Sequence, residues 1–275
     1  MSLIVLTSAS GSPGVTTTAL GLVLGWPRPA LLVDADPTGG SAVAAGYLRG
    51  SVIPPEAMIE LALAHQDGVL AEALPGVSMP LPGSDARFIP GIRSHEQART
   101  VAGLWEPLTG VLRSLRDTGQ DVIVDAGRLG LFGSPQPLID NADLTLLVAR
   151  SDLVSLAGAR SWAQTLRERF ERAGGGASLG VLLVGHGAPF GSREVARVLQ
   201  LPVITTVAWD PPAAAVLSAG AQPPTAGVLD RLAGRSGWQD TALLRSLRAA
   251  RSAITGTIRA NEQRLQAAAA TGRQP

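Results

Sequence analysis

The stretch Leu3 to Leu20, LIVLTSASGSPGVTTTAL, constrains this chain more than any other. Its apolar run, Leu3 to Leu6, predicts a buried parallel strand. A glycine- and serine-rich turn follows from Ser8 to Gly14, and Thr16-Thr17-Thr18-Ala19-Leu20 opens a helix. Strand, glycine-rich turn and helix together present backbone N–H groups and a helix N-terminus to a phosphate. The pattern expected of such a cradle is G-x-x-x-x-G-K-[ST]. In that frame the chain has Ala9, Gly14, Val15 and Thr16, so valine stands where lysine is expected. All 23 basic residues are arginine, and no lysine can come from elsewhere in the chain.

Further apolar strands are predicted at Ala30–Val33, Gln120–Asp125, Leu144–Ala149, Leu179–Val184 and Val203–Val207. Between them, helices are expected at Ser41–Arg49, Pro55–His65, Asp152–Arg172, Ser192–Leu199 and Pro211–Ala219. Ser94 is placed as the cap of a long helix reaching about Asp117, kinked or split by Pro107. The Pro- and Gly-rich stretch Gln66–Ile92 gives no clear pattern beyond a short strand at Arg87-Phe88-Ile89. This alternation defines an α/β fold with a mostly parallel, doubly wound sheet.

At 275 residues, 45% hydrophobic and 16% charged, the chain has the composition of a globular protein with a sizeable core. A formal net charge of +1 gives no global pull toward a polyanion. Without cysteine there are no disulfides, thiol catalysis or cysteine metal sites. The N-terminus lacks the basic segment of a signal peptide, and no apolar run reaches bilayer length, so a cytoplasmic location is the expectation.

Carboxylates mark two more strand ends. Asp34 and Asp36 follow the second strand, and Asp125 ends the third long one. Open α/β sheets place ligand chemistry at such carboxyl ends. A Mg–phosphate site needs backbone amides for phosphate, a hydroxyl for the metal and carboxylates for metal-bound water. Thr16 supplies the hydroxyl, Asp34 or Asp125 the water-holding carboxylate, and Asp36 a group to orient an attacking water. The rival reading is a Rossmann-type dinucleotide binder with Asp34 on the ribose. Against it, G-x-G-x-x-G is absent and only Gly11-x-x-Gly14 is present, with Pro13 inside. His65, His95 and His186 have no ligand spacing.

These residues together resemble the ParA/MinD-type P-loop ATPases, which position plasmids, chromosomes, septa and pili. The family's deviant Walker A, KGGVGKTT, is matched by Ser10-Gly11-Ser12-Pro13-Gly14-Val15-Thr16-Thr17, with Ser10 and Val15 replacing both lysines. Asp34-Ala35-Asp36-Pro37-Thr38-Gly39 is similar to its D-x-D-P-Q-G. Val122–Asp125 is similar to its Walker B strand, with Ala126-Gly127 replacing the usual Thr-Pro. Ala208-Trp209-Asp210-Pro211, with Ala215 and Gly220, resembles the segment that lies near the adenine in relatives.

The resemblance covers roughly residues 2 to 225. It implies a P-loop domain over 1–225, with a linker and basic helical appendage over 226–275. ATP or ADP with Mg would be held by Gly11 to Thr17, Asp210 and Pro211. Thr16, Asp34 and Asp125 would serve the metal, and Asp36 and Asp125 any catalysis. Losing one charged hydrogen bond costs roughly 1.5–3 kcal/mol, and removing a transition-state donor costs ~10²–10³ in rate. The expectation is therefore little or no hydrolysis, with weak nucleotide binding or none. Dimerisation and partner binding would carry the function; a residual Mg-dependent ATPase is the alternative.

The C-terminal segment, Thr241 to about Ala270, places Leu243, Leu247, Ala250, Ile254, Ile258 and Leu265 on roughly one helical face, interrupted by Gly256. Its flanks carry Arg245, Arg248, Arg251, Arg259, Arg264 and, beyond, Arg273, against Glu262 alone. Packing on the core is one reading. The resemblance adds nonspecific DNA binding, a homodimer with a protein partner, and peripheral membrane association. For the last, aromatic anchors are missing.

Overall fold

The computed structural model describes residues 2–225 and 237–270. Most of the predicted Gly220–Gly237 link and Arg273 lie outside the described residues. The strands are β1 (Leu3–Ser8), β2 (Ala30–Asp34), β3 (Met79–Pro80), β4 (Arg87–Ile89), β5 (Asp121–Arg128), β6 (Leu144–Arg150), β7 (Leu179–Val184) and β8 (Val203–Val207). They form one sheet in the order β3-β4-β2-β5-β1-β6-β7-β8. Every pairing is parallel except β3 with β4. Helices α1 (Val15–Val23), α2 (Ala57–Gln66), α3 (Leu70–Val77), α4 (Ala98–Val101), α5 (Trp105–Ser114), α6 (Gln136–Asp140), α7 (Leu153–Arg172), α8 (Ser192–Leu199), α9 (Pro211–Ser218) and α10 (Ala242–Ala270) complete the described elements.

Strand alternation explains the layering. Leu3 and Val5 join one core with Val122, Val124, Leu108 and Phe170, while Ile4 and Leu6 join a second with Ile123, Leu20, Leu217 and Leu247. A strand apolar on both faces must be covered on both, which is the doubly wound arrangement. The helices α1, α9 and α10 pack on the second face. Because β1 lies at the centre, with β5 on one side and β6 on the other, the loop after β1 emerges at the point where the winding reverses.

Four local stretches are settled in detail, the first of them as a correction. Ser41–Arg49 forms only a widened π-type turn over Val43–Tyr47. It presses on the end of α9, where a Cβ on Gly46 would sit 2.2 Å from the Ser218 carbonyl oxygen. The unclear stretch Gln66–Ile92 holds α3, β3 and the expected β4. The long helix after Ser94 is split: Ser94 caps a 3₁₀ turn over His95–Gln97, then α4 and α5 are separated by a second 3₁₀ turn at Ala102–Leu104. The break precedes Pro107, whose missing N–H leaves the Gly103 carbonyl without an α-helical donor. Finally, α10 runs unbroken through Gly256 and buries Leu243, Leu247, Ala250, Ile254 and Ile258, while Leu265 is exposed.

Candidate functional site

The loop between β1 and α1 is curled by positive φ angles at Gly11, Ser12 and Gly14, and Gly14 caps α1 in the left-handed conformation. Pro13 is buried, whereas Gly11 and Ser12 are exposed. Val15, at the lysine position, turns its side chain into the second core. The Ser10 hydroxyl is buried without a hydrogen-bond partner among the described residues, and a Cβ on Gly158 of α7 would sit 2.1 Å from it. Neither position projects a polar side chain outward.

Two clefts meet on this loop. One, of about 450 Å³, is lined by Ser8, Ser12, Gly14, Val15, Thr16, Thr17, Asp36, Thr38, Ala42, Gly127 and Arg128. The other, of about 290 Å³, has Pro13 with Val207, Ala208, Trp209, Asp210 and Pro211 among its walls, and it shares Ser12, Gly14 and Thr17 with the first. Polar groups sit at one end and apolar walls at the other. That division suits a ligand with an anionic and a flat apolar part.

Thr16 Oγ1 donates a 2.5 Å hydrogen bond to Asp125 Oδ2, and Asp125 Oδ1 accepts the Gly127 N–H at 2.9 Å. Register pairs Asp34 directly with Asp125 on the neighbouring strand. Two carboxylates are thus buried side by side. Burial, reinforced by the charge of Asp125, pushes the Asp34 carboxyl far above its usual range, to about 7. Asp125 is also raised, mainly by burial and further by the Asp36 charge, against the lowering hydrogen bonds from Thr16 and Gly127. Asp36 accepts the Thr38 N–H at 2.9 Å. The close packing depends on glycines: a Cβ on Gly127 (φ +60°) would fall 2.3 Å from the Asp36 carboxyl carbon, and one on Gly91 would fall 2.8 Å from that of Asp34.

No group of three or more His, Asp or Glu residues is placed to cage a metal ion among the described residues. Mg²⁺ needs no such cage, since it takes one or two protein groups and keeps phosphate and water ligands. The pair Thr16–Asp125 beside the anion-facing loop fits that donor set. Asp34 does not fit a ribose-binding role, because it is buried against Asp125 and the Gly91 backbone. Asp210 has a structural task as well: one oxygen accepts the Ala213 N–H and the other the Leu243 N–H, tying α10 to the start of α9.

Sequence reasoning missed Arg128, Thr38 and the two close-approach glycines. Arg128 lies three positions past Asp125, the last strand residue predicted there, and nothing in the pattern Asp-Ala-Gly-Arg shows that β5 continues through it. Trp209 was legible only as part of a motif. In the structure its indole is half exposed at the wall of the smaller cleft, with the Arg150 guanidinium 4.0 Å from the ring centre.

The eight-stranded, mostly parallel sheet with its flanking helices has the ParA/MinD-type P-loop NTPase fold. Among solved structures, the cell division ATPase MinD of Pyrococcus furiosus superposes with a TM-score of 0.66 at 17% identity, covering 93% of this chain and 99% of that one. The septum site-determining protein MinD of Pyrococcus horikoshii gives 0.64 at 16%, covering 91% and 94%. A ParA family ATPase from Chlorobium tepidum gives 0.65 at 16%, covering 91% and 97%. No protein-family model and no curated protein sequence matches the chain.

Proposed function

We propose that this chain is a ParA/MinD-like positioning protein whose Mg–nucleotide cleft binds weakly and turns over little or no nucleotide, so that dimerisation and partner binding carry its function. The observation behind this reading is the joining of two clefts on Ser12, Gly14 and Thr17, with the Thr16–Asp125 pair at the polar end and the Val15 side chain withdrawn into the core. Backbone amides and the α1 N-terminus remain to receive phosphate. The transition-state donor expected from a lysine is missing. The Pyrococcus horikoshii MinD structure is a complex with Mg-ADP, and an Aquifex aeolicus MinD was solved with MinC. Both lend support to a nucleotide and a protein partner here. The cargo class is a chromosome, septum or pilus-type assembly, and a homodimer is the proposed working form.

Asp36 favours one second reading, a residual Mg-dependent ATPase, because its carboxylate lines the polar cleft. Calorimetric titration with ATP and ADP, with and without Mg²⁺, tests the first reading. The expected result is Mg²⁺-dependent binding with no phosphate release above background. Absence of heat up to millimolar nucleotide would overturn the binding. Measurable phosphate release that Asp36→Asn abolishes would move the assignment to the ATPase.

A further inference from the structure

The polar cleft gathers carboxylates, yet its proposed ligand is an anion. Asp36 lines it, and Asp125 stands behind Thr16. Mg²⁺ at Thr16 and Asp125 would answer the carboxylates, but the phosphate oxygens still lack the cationic side chain that such a loop is expected to carry. No lysine exists in the chain, and Val15 is buried in the core.

Register in the sheet shows what replaces it. Leu6 pairs with Asp125, but Ser8 pairs with Arg128, so β5 spends three residues where β1 spends two. This extra residue is a bulge, a device that re-aims a side chain next to a site. Three bonds fix it: Gly127 N–H to Asp125 Oδ1 at 2.9 Å, Thr7 Oγ1 to the Gly127 carbonyl at 3.1 Å, and Leu129 N–H to the Ser8 carbonyl at 2.8 Å. Gly127 allows the turn, with φ of +60°. The bulge resets the strand's alternation by one position, and Arg128 lines the cleft with Ser12, Thr16 and Asp36. Its backbone is held on both sides, while its exposed guanidinium makes no hydrogen bond or ion pair among the described residues.

We infer that Arg128, carried into the cleft by the β5 bulge, is the cationic contact to the phosphate groups of the bound ligand. The inference rests on the nucleotide reading above and names the side chain that makes it workable. A guanidinium presents paired donors matched to phosphate oxygens. It approaches from β5 rather than from the first turn of α1, so it restores charge without restoring the lysine's position.

The test is titration of the full chain and of Arg128→Ala and Arg128→Lys with Mg-ADP, adenosine and inorganic pyrophosphate. Arg128→Ala is expected to weaken Mg-ADP and pyrophosphate by roughly ten- to a hundredfold, the span of one charged hydrogen bond. Adenosine binding and the melting temperature should not move, because the residue is exposed. Arg128→Lys should recover part of the loss. Unchanged affinity of Arg128→Ala for both phosphate ligands would overturn the inference. If the unaltered chain binds pyrophosphate through Arg128 but not Mg-ADP, the nucleotide reading falls and the Arg128 contact stands. If it binds neither, both fall.

Discussion

Asp34 and Asp125 face each other across neighbouring strands, and their titration links site to stability. Both carboxyls are raised from the ordinary 3.8, Asp34 to about 7. A raised carboxyl holds its proton in the folded state at pH values where the unfolded chain has lost it. The folded state therefore binds more protons across this window, and stability falls as pH rises from about 4 toward about 7. Asp34→Asn removes one charge of the pair, so its melting temperature should exceed that of the unaltered chain at pH 8, with the gap closing near pH 4.5. Thermal denaturation across pH reads this directly. A difference independent of pH would mean that the pair does not share the cost of burial. At this scale the sequence revealed which carboxylates converge, because each ends a strand. It concealed their supports: that Gly91 and Gly127 admit no Cβ follows only from neighbours far away in sequence. Val15 was legible as a departure, but its withdrawal into the core was not.

At the scale of elements, the long strands and α7, α8 and α10 followed from apolar runs and helical spacing, because each is long enough for its period to show. Apart from β4, the shortest pieces did not. The π-type turn at Val43–Tyr47 and the helix α6 are held by packing and prolines rather than by a repeat of their own. The apolar stripe of α10 was plain, but not its socket: a Cβ on Gly21 would sit 2.6 Å from a Leu247 methyl, so that glycine makes room for the leucine. Arg251 spans the same contact, donating to the carbonyls of Gly21 at 2.7 Å and Leu22 at 3.0 Å. One of the basic residues considered for DNA is thus spent on closing the end of α1. Two substitutions in α10 should move stability in opposite directions. Leu247 is fully buried, and Leu247→Ala should cost about 2–5 kcal/mol. A Cβ on Gly256 meets nothing within 4 Å, and Gly256→Ala should add about 0.5–1 kcal/mol. Urea denaturation of both variants checks the pair; a loss at Gly256 would show that its face of α10 is not open.

The molecule as a whole presents its loop at one rim, and the rim is unexpectedly apolar. Leu153 and Val154 open α7 and are 69% and 80% exposed. They immediately precede Ser155, whose hydroxyl would lie 3.0 Å from a Cβ on Gly11. Phe132, 67% exposed, borders a further cavity that includes Thr38, a residue of the polar cleft. Apolar side chains gathered around a cleft mouth are a common mark of an interaction surface. No sequence pattern distinguished them from core leucines and valines, since exposure depends on what fails to cover them. If the proposed homodimer closes over this rim, the pair Leu153→Asp and Val154→Asp would bury two carboxylates per chain without partners. Dimer dissociation should then strengthen by about a hundredfold or more, given roughly 1.4 kcal/mol per tenfold change. Light scattering on the eluting protein would show the monomer mass at concentrations where the unaltered chain is dimeric. Mg-ADP binding to each separate chain should persist, because neither residue lines the clefts. A dimer that survives both substitutions places its interface away from the loop, and the partner surface would then have to be sought elsewhere on the molecule.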